Sequence, residues 1–207
     1  MRHWIFSLLA LCMGSVAIAA EPVEGKDYIL VKPVAPSSSE KIEVVDFFSY
    51  TCGHCFRFSP LIEEWAKKIP NDVTLVRSPV AWDESTEFLA RVYFTFDALG
   101  RLEDLHPLFW QDIMGGKITS SDSLTAWLTQ NKVDLNEWDK LYNSCAVNMS
   151  TKQAAQRWQD YQLDATPYIG VAGKYLTAPH LAGSRQKSME VLNWLIDKER
   201  KERQSKQ

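Results

Sequence analysis

Cys52 and Cys55 stand three apart in Thr51-Cys52-Gly53-His54-Cys55, between the apolar run Ile42–Tyr50 and a helical pattern that reaches Lys68. Two thiols at that spacing can close a small disulfide ring. At the start of a helix, the first of them meets free backbone N–H groups and roughly half a positive charge, which favours its thiolate. His54 adds a donor or a cation beside it, while Gly53 adds no constraint of its own. Cys55 lies one turn further in and is more sheltered. An exposed thiolate of low pKa with a sheltered thiol to resolve the mixed disulfide is the asymmetry that dithiol–disulfide exchange needs. Stabilising that thiolate stabilises the reduced pair, so its disulfide becomes easier to reduce and a stronger oxidant.

The same residues admit two other readings. Zinc would need two further ligands, and Cys145 and His180 do not stand in a paired motif. A structural disulfide across so short a ring stabilises little compared with one that closes a long loop. Redox chemistry without cofactor or metal is the expectation, with Cys52–Cys55 as the redox-active disulfide.

The elements that must position these thiols follow from the hydrophobic pattern. Tyr28–Val31 reads as an edge strand, and Ile42–Tyr50, nearly continuous in apolar character, as a strand buried on both faces. The helix to Lys68, a turn at Pro70-Asn71-Asp72 and a short strand Val73–Arg77 complete a βαβ unit. Five helical segments follow without a clear strand: one capped by Ser85 or Thr86 and running to Leu99, then Arg101–Met114, Ser121–Gln130, Leu135–Cys145 and Val147–Tyr161. Pro167–Val171 and Lys174–Thr177 flank Ala172-Gly173 as a hairpin. A last helix, Met189 to Arg200, trails into a charged tail expected to fray. The fold class is therefore α/β, with an all-helical subdomain at 83–155 inserted between frame segments at 20–82 and 156–207, its helices over one end of a shared sheet.

Residues 1–19 read as a signal peptide: Arg2, the short apolar run Ile5–Met13, and the small-x-small pattern Ala17-Ile18-Ala19, with cleavage before Ala20. An uncleaved anchor would need an apolar stretch of ~20 residues, and Leu11 directly before Cys12 disfavours lipid attachment there. Export leaves Cys52, Cys55 and Cys145 in a compartment that permits disulfides. A net charge of −3 without a basic block argues against nucleic acid as a partner, and 45% hydrophobic residues argue against disorder.

Val45-Asp46-Phe47-Phe48 leading into Cys52-Gly53-His54-Cys55, with Pro60 further along the helix, resembles the thioredoxin fold. More closely, the segment FFSYTCGHC, the helical insert and Thr166-Pro167 opening the second half resemble the DsbA family of periplasmic thiol:disulfide oxidoreductases. The resemblance implies Cys52 as nucleophile, Cys55 as buried partner, and a cis bond at Thr166-Pro167 where an extended peptide could pair with the backbone of Thr166. It implies clients that are folding secreted proteins with free thiols, reoxidation by a DsbB-type membrane partner that passes electrons to quinone, and a monomer. Gly-His between the cysteines, where the best-known members have Pro-His, and Thr before the proline imply a milder oxidant. The alternatives within and beyond this reading are an isomerase or reductase of the same fold, and a peptide-binding chaperone module with incidental cysteines.

Asp46, in the middle of the most apolar strand, is the candidate proton acceptor for Cys55, since a buried lone carboxylate is expensive and its pKa should rise. The competing reading pairs it with Lys41 or Lys67. Pro60 should kink its helix. Cys145 and the tryptophans, Trp82 included, are expected in the core; His106 and His180 show no metal pattern, and His180 is placed in a solvated loop.

Overall fold

The computed structural model describes residues 20–35 and 40–205. The expected signal peptide at 1–19, Cys12 and the Pro36-Ser37-Ser38-Ser39 loop lie outside them. Strands β1 (Tyr28–Leu30), β2 (Ile42–Phe48) and β3 (Val73–Pro79) and the helix α1 (Gly53–Ala66) form the first half of the frame. Five helices follow: α2 (Glu84–Ala98), α3 (Leu102–Met114), α4 (Ser121–Gln130), α5 (Leu135–Tyr142) and α6 (Cys145–Asp160). The second half is β4 (Tyr168–Val171), β5 (Tyr175–Thr177), the short α7 (Pro179–Ala182) and α8 (Arg185–Gln204).

The sheet order is β1-β5-β4-β2-β3, with β2 parallel to β3 and all other neighbours antiparallel. Every residue of β2 is buried, as its unbroken apolar run predicts for a central strand covered on both faces. On one face, Ile42 and Val44 pack with Phe58 and Ile62 of α1 and with Val191, Leu192 and Leu195 of α8. On the other, Val45 and Phe47 pack with Tyr161, Leu163 and Tyr168. Phe48 and Tyr50, past the end of β2, join Cys55 in the core of the helical block, with Phe96, Leu105, Phe109 and Trp110. One apolar cluster thus welds the inserted helices to the loop that carries the cysteines.

Several local expectations shift. Asp83 caps α2, and Thr86 bonds back to complete a capping box; a carboxylate there outcompetes Ser85 because it also meets the helix dipole. Ser120 caps α4, its side chain accepting from the Ser123 N–H. The α5–α6 break falls at Asn143-Ser144, with Ser144 as cap, so Cys145 opens α6 and is exposed rather than buried. Trp82 is 49% exposed and lies against Trp158 at 4.7 Å between ring centroids; Trp65, Trp158 and Trp194 are half-buried, whereas Trp110, Trp127 and Trp138 lie in the core. The last helix starts at Arg185, capped by Ser184, and continues to Gln204. Its charged end does not fray, because Glu199 and Glu202 tie it to Lys174, Lys198, Arg203 and the Tyr175 hydroxyl.

Candidate active site

Cys52 occupies the N-cap of α1. Its Sγ accepts a hydrogen bond from the backbone N–H of Cys55 at 3.2 Å, the role an N-cap side chain takes toward an orphan donor. The helix begins here because the buried Phe48 and Tyr50 fix the entering chain, and the Cys52 N–H closes onto Ser49 O at 3.1 Å. Gly53, His54 and Cys55 form the first turn; His54 points to solvent, where the Arg57 guanidinium approaches its Nδ1 at 3.4 Å. Cys55 is 2% exposed, and Cys52 is half-buried.

Burial and hydrogen bonding divide the two thiols. The Cys52 pKa falls to about 5, chiefly through a hydrogen bond from the Cys55 thiol, aided by Thr166 and by the backbone N–H groups of Cys55 and His54, against partial desolvation. The Cys55 thiol is pushed far up, first by burial and then by its bond to Cys52. Both cysteines are free thiols in this structure.

The Thr166–Pro167 bond is cis. The Thr166 carbonyl lies 3.6 Å from Cys52 Sγ, although the two residues are far apart in sequence. Pro167 is buried and leads straight into β4.

Asp46 is 8% exposed, and burial raises its pKa to about 7. The cation beside it is Arg77, its partner in the β2–β3 ladder, rather than Lys41 or Lys67; Lys67 stands near Glu64. Arg77 is itself held by two hydrogen bonds of 2.7 Å to the carboxylate oxygens of Glu63 on α1. Sequence reasoning passed over Glu63 and Arg77. The signal was a lone arginine in an apolar strand next to the strand with the lone aspartate.

A second polar contact was equally invisible: the Tyr50 hydroxyl and His106 Nδ1 meet at 2.6 Å inside the core. Burial drives the His106 pKa down to about 3, so the ring is neutral. His180 sits on α7, not in a loop, with Nε2 3.2 Å from the Tyr168 hydroxyl. Among the described residues, no group of three or more His, Cys, Asp or Glu is arranged to hold a metal ion.

Comparison with known proteins agrees with this geometry. The thioredoxin family model matches residues 32–92. The thiol:disulfide interchange protein DsbA of Bordetella pertussis is 32% identical over 201 residues, covering 94% of this chain and 96% of the relative. The DsbA of Pseudomonas syringae is 33% identical, covering 97% of both chains. The chain belongs to the DsbA family. Among solved structures, Pseudomonas aeruginosa DsbA superposes with a TM-score of 0.83 at 29% identity, over 88% of this chain and 97% of that one. Reduced DsbA1 from Neisseria meningitidis gives 0.78 at 26%, over 90% and 100%. As a DsbA protein, the chain is a thiol:disulfide oxidoreductase with a thioredoxin fold and an inserted helical domain.

Proposed function

We propose that this DsbA protein donates the Cys52–Cys55 disulfide to secreted proteins as they fold in the periplasm, after removal of a signal peptide at residues 1–19. The observation that carries this reading is the opposite displacement of the two thiols, Cys52 down and Cys55 up. A thiolate favoured at Cys52 stabilises the reduced pair and drives the disulfide outward.

In the forward step, a client thiolate attacks Cys52 Sγ. The intermolecular S–S bond forms, the Cys52–Cys55 bond breaks, and Cys55 leaves as a thiolate that takes up a proton. A second client thiolate then attacks the client sulfur of the mixed disulfide. The client disulfide forms, and Cys52 departs as a stable thiolate with the electron pair. The client is oxidised by two electrons and the Cys52–Cys55 pair is reduced.

Asp46, with a pKa of about 7, exchanges its proton near neutral pH, which suits it to supply and recover the proton of Cys55. The Thr166 carbonyl stands 3.6 Å from Cys52 Sγ with Pro167 next to it, a placement that suits an extended client segment pairing with the Thr166 backbone. His54 lies exposed on the first turn of α1, two residues beyond Cys52. The return of the pair to the disulfide requires an external oxidant, in our reading a DsbB-type membrane partner that hands the electrons to quinone, with the protein itself acting as a monomer and without a cofactor.

Equilibration of the Cys52–Cys55 pair against glutathione buffers tests the direction of flow. A pair that stays largely reduced in fairly oxidising glutathione is a disulfide donor. A disulfide that persists in strongly reducing glutathione overturns the donor reading in favour of a reductase.

A further inference from the structure

The surface around Cys52 is uneven in charge. A Cβ placed on Gly53 would lie 3.6 Å from Met114 Cε of α3 and 3.4 Å from Arg57 Nη1. An apolar side chain and a guanidinium therefore converge on the residue next to Cys52. Beyond Arg57, a surface pocket of about 360 Å³ opens between the first turns of α1 and the α7–α8 corner. It is lined by His54, Arg57, Pro179, Ser184, Arg185 and Gln186, with no carboxylate among them. Gly183, in the left-handed region at φ 86°, makes the corner that sets Arg185 opposite Arg57.

Neither arginine forms an ion pair among the described residues, although Arg77, Arg101, Arg200 and Arg203 each hold a carboxylate. Two guanidinium groups without a carboxylate partner among the described residues line one pocket, and such a pair suits an anion. The pocket starts two residues from Cys52. His54 and Arg57 stand two and five residues beyond Cys52 on α1, roughly 3 to 8 Å along the helix axis, and a client joined to Cys52 advances about 3.3 Å per residue in extended form, so a side chain one to three residues from its cysteine spans a comparable length.

We propose that this pocket is a specificity subsite for the carboxylate of an Asp or Glu close to the reacting cysteine of the client. The proposal rests on the reading of Cys52 as the sulfur that forms the mixed disulfide. Nothing in thiol exchange itself demands such a site. It selects among clients by steering encounter and holding the chain in register.

The test uses reduced single-cysteine peptides that differ at one residue, Glu, Gln or Lys, two positions before or after the cysteine. The oxidised protein is mixed with each peptide, quenched with acid and read by mass spectrometry for the mixed disulfide together with the reduced Cys52–Cys55 pair that its resolution leaves. Rates are normalised to the same peptide reacting with a small neutral disulfide, which removes the intrinsic effect of the neighbouring charge on the thiol. In one of the two placements, the Glu peptide should react roughly three to ten times faster than the Gln peptide at low salt, and the Lys peptide slower. The gap should close towards 0.5 M salt, roughly where screening becomes strong. The R57Q/R185Q variant should bring the Glu-to-Gln ratio close to one. K140Q/K152Q, with the same change in net charge at exposed positions on α5 and α6, should keep the ratio. Equal normalised rates in both placements, or a Glu preference that survives R57Q/R185Q, overturn the subsite alone. Absence of both a mixed disulfide and any reduction of the Cys52–Cys55 pair with every peptide overturns the assignment of Cys52, and the subsite with it.

Discussion

Asp46 on β2 lies directly across the parallel ladder from Arg77 on β3, and Arg77 is turned to Glu63 rather than left to Asp46. The aspartate is thus buried beside a cation whose charge is already shared. Desolvation outweighs the attraction, and the pKa rises to about 7.

The folded chain therefore holds the Asp46 proton more tightly than the unfolded chain does. Stability is lost as pH rises from about 4, the unfolded value, through about 7. Asp46→Asn should stabilise the reduced protein by on the order of 4 kcal/mol at pH 8 and by almost nothing at pH 4. Urea unfolding at the two pH values measures this. A variant less stable than the parent at pH 8 would show instead that Arg77 holds Asp46 as a favourable ion pair.

Cys52 supplies a pH dependence of the opposite sign. Its pKa is depressed in the folded reduced chain, so its contribution to stability is full above the unfolded value near 9 and is lost as pH falls through about 5. The oxidised chain has no thiolate there. At pH 7 the reduced form should unfold at higher urea than the oxidised form, and the gap should shrink towards pH 5. Alkylation of the reduced protein by iodoacetamide should titrate at Cys52 with a midpoint near 5, while buried Cys55 stays unreactive. A midpoint near 8 would mean that the N-cap and the Cys55 thiol do not stabilise the anion.

The unequal burial of the two thiols predicts unequal variants. Cys52→Ser should abolish exchange with a reduced client, with at least a 1,000-fold loss on the order expected for removing an attacking or accepting sulfur. Cys55→Ser, tested as the mixed disulfide with a small thiol, should retain the adduct at Cys52 because the resolving sulfur is gone. Adduct loss at the parental rate would point to resolution by another thiol, of which exposed Cys145 is the candidate.

At the β4–β5 hairpin, Gly173 has φ of 65°, and a Cβ there would sit 1.9 Å from the Val34 carbonyl oxygen. The Val34 N–H also donates to Gly173 O at 2.8 Å, so the strap before β2 is pinned onto the hairpin at this residue. Gly173→Ala should cost about 2 kcal/mol or more, from left-handed strain plus displacement of the strap. Thermal unfolding checks the size. A loss of only a few tenths would mean that the strap yields freely.

The residues Cys52, Gly53, His54 and Cys55 were legible because their chemistry is local: one strand end, one helix start, one turn. The burial of β2 followed from an unbroken apolar run, and the glycine hairpin from Ala172-Gly173, for the same reason. Helix caps were misplaced by one to three residues where several polar residues compete, as at Asp83, Ser85 and Thr86. Exposed Cys145 was misjudged because composition gives average burial and not the face a residue occupies.

What the sequence by itself determined was the redox pair, the order of elements and the helical insertion, since spacing and periodicity are properties of neighbouring residues. Only the tertiary structure decided which distant groups surround that pair: Thr166 at 3.6 Å from Cys52, Arg77 rather than a lysine beside Asp46, and Arg57 facing Arg185 across one pocket. Those contacts arise from strand register and helix packing, which depend on how the whole core closes, and electrostatics follows distance in space rather than distance along the chain.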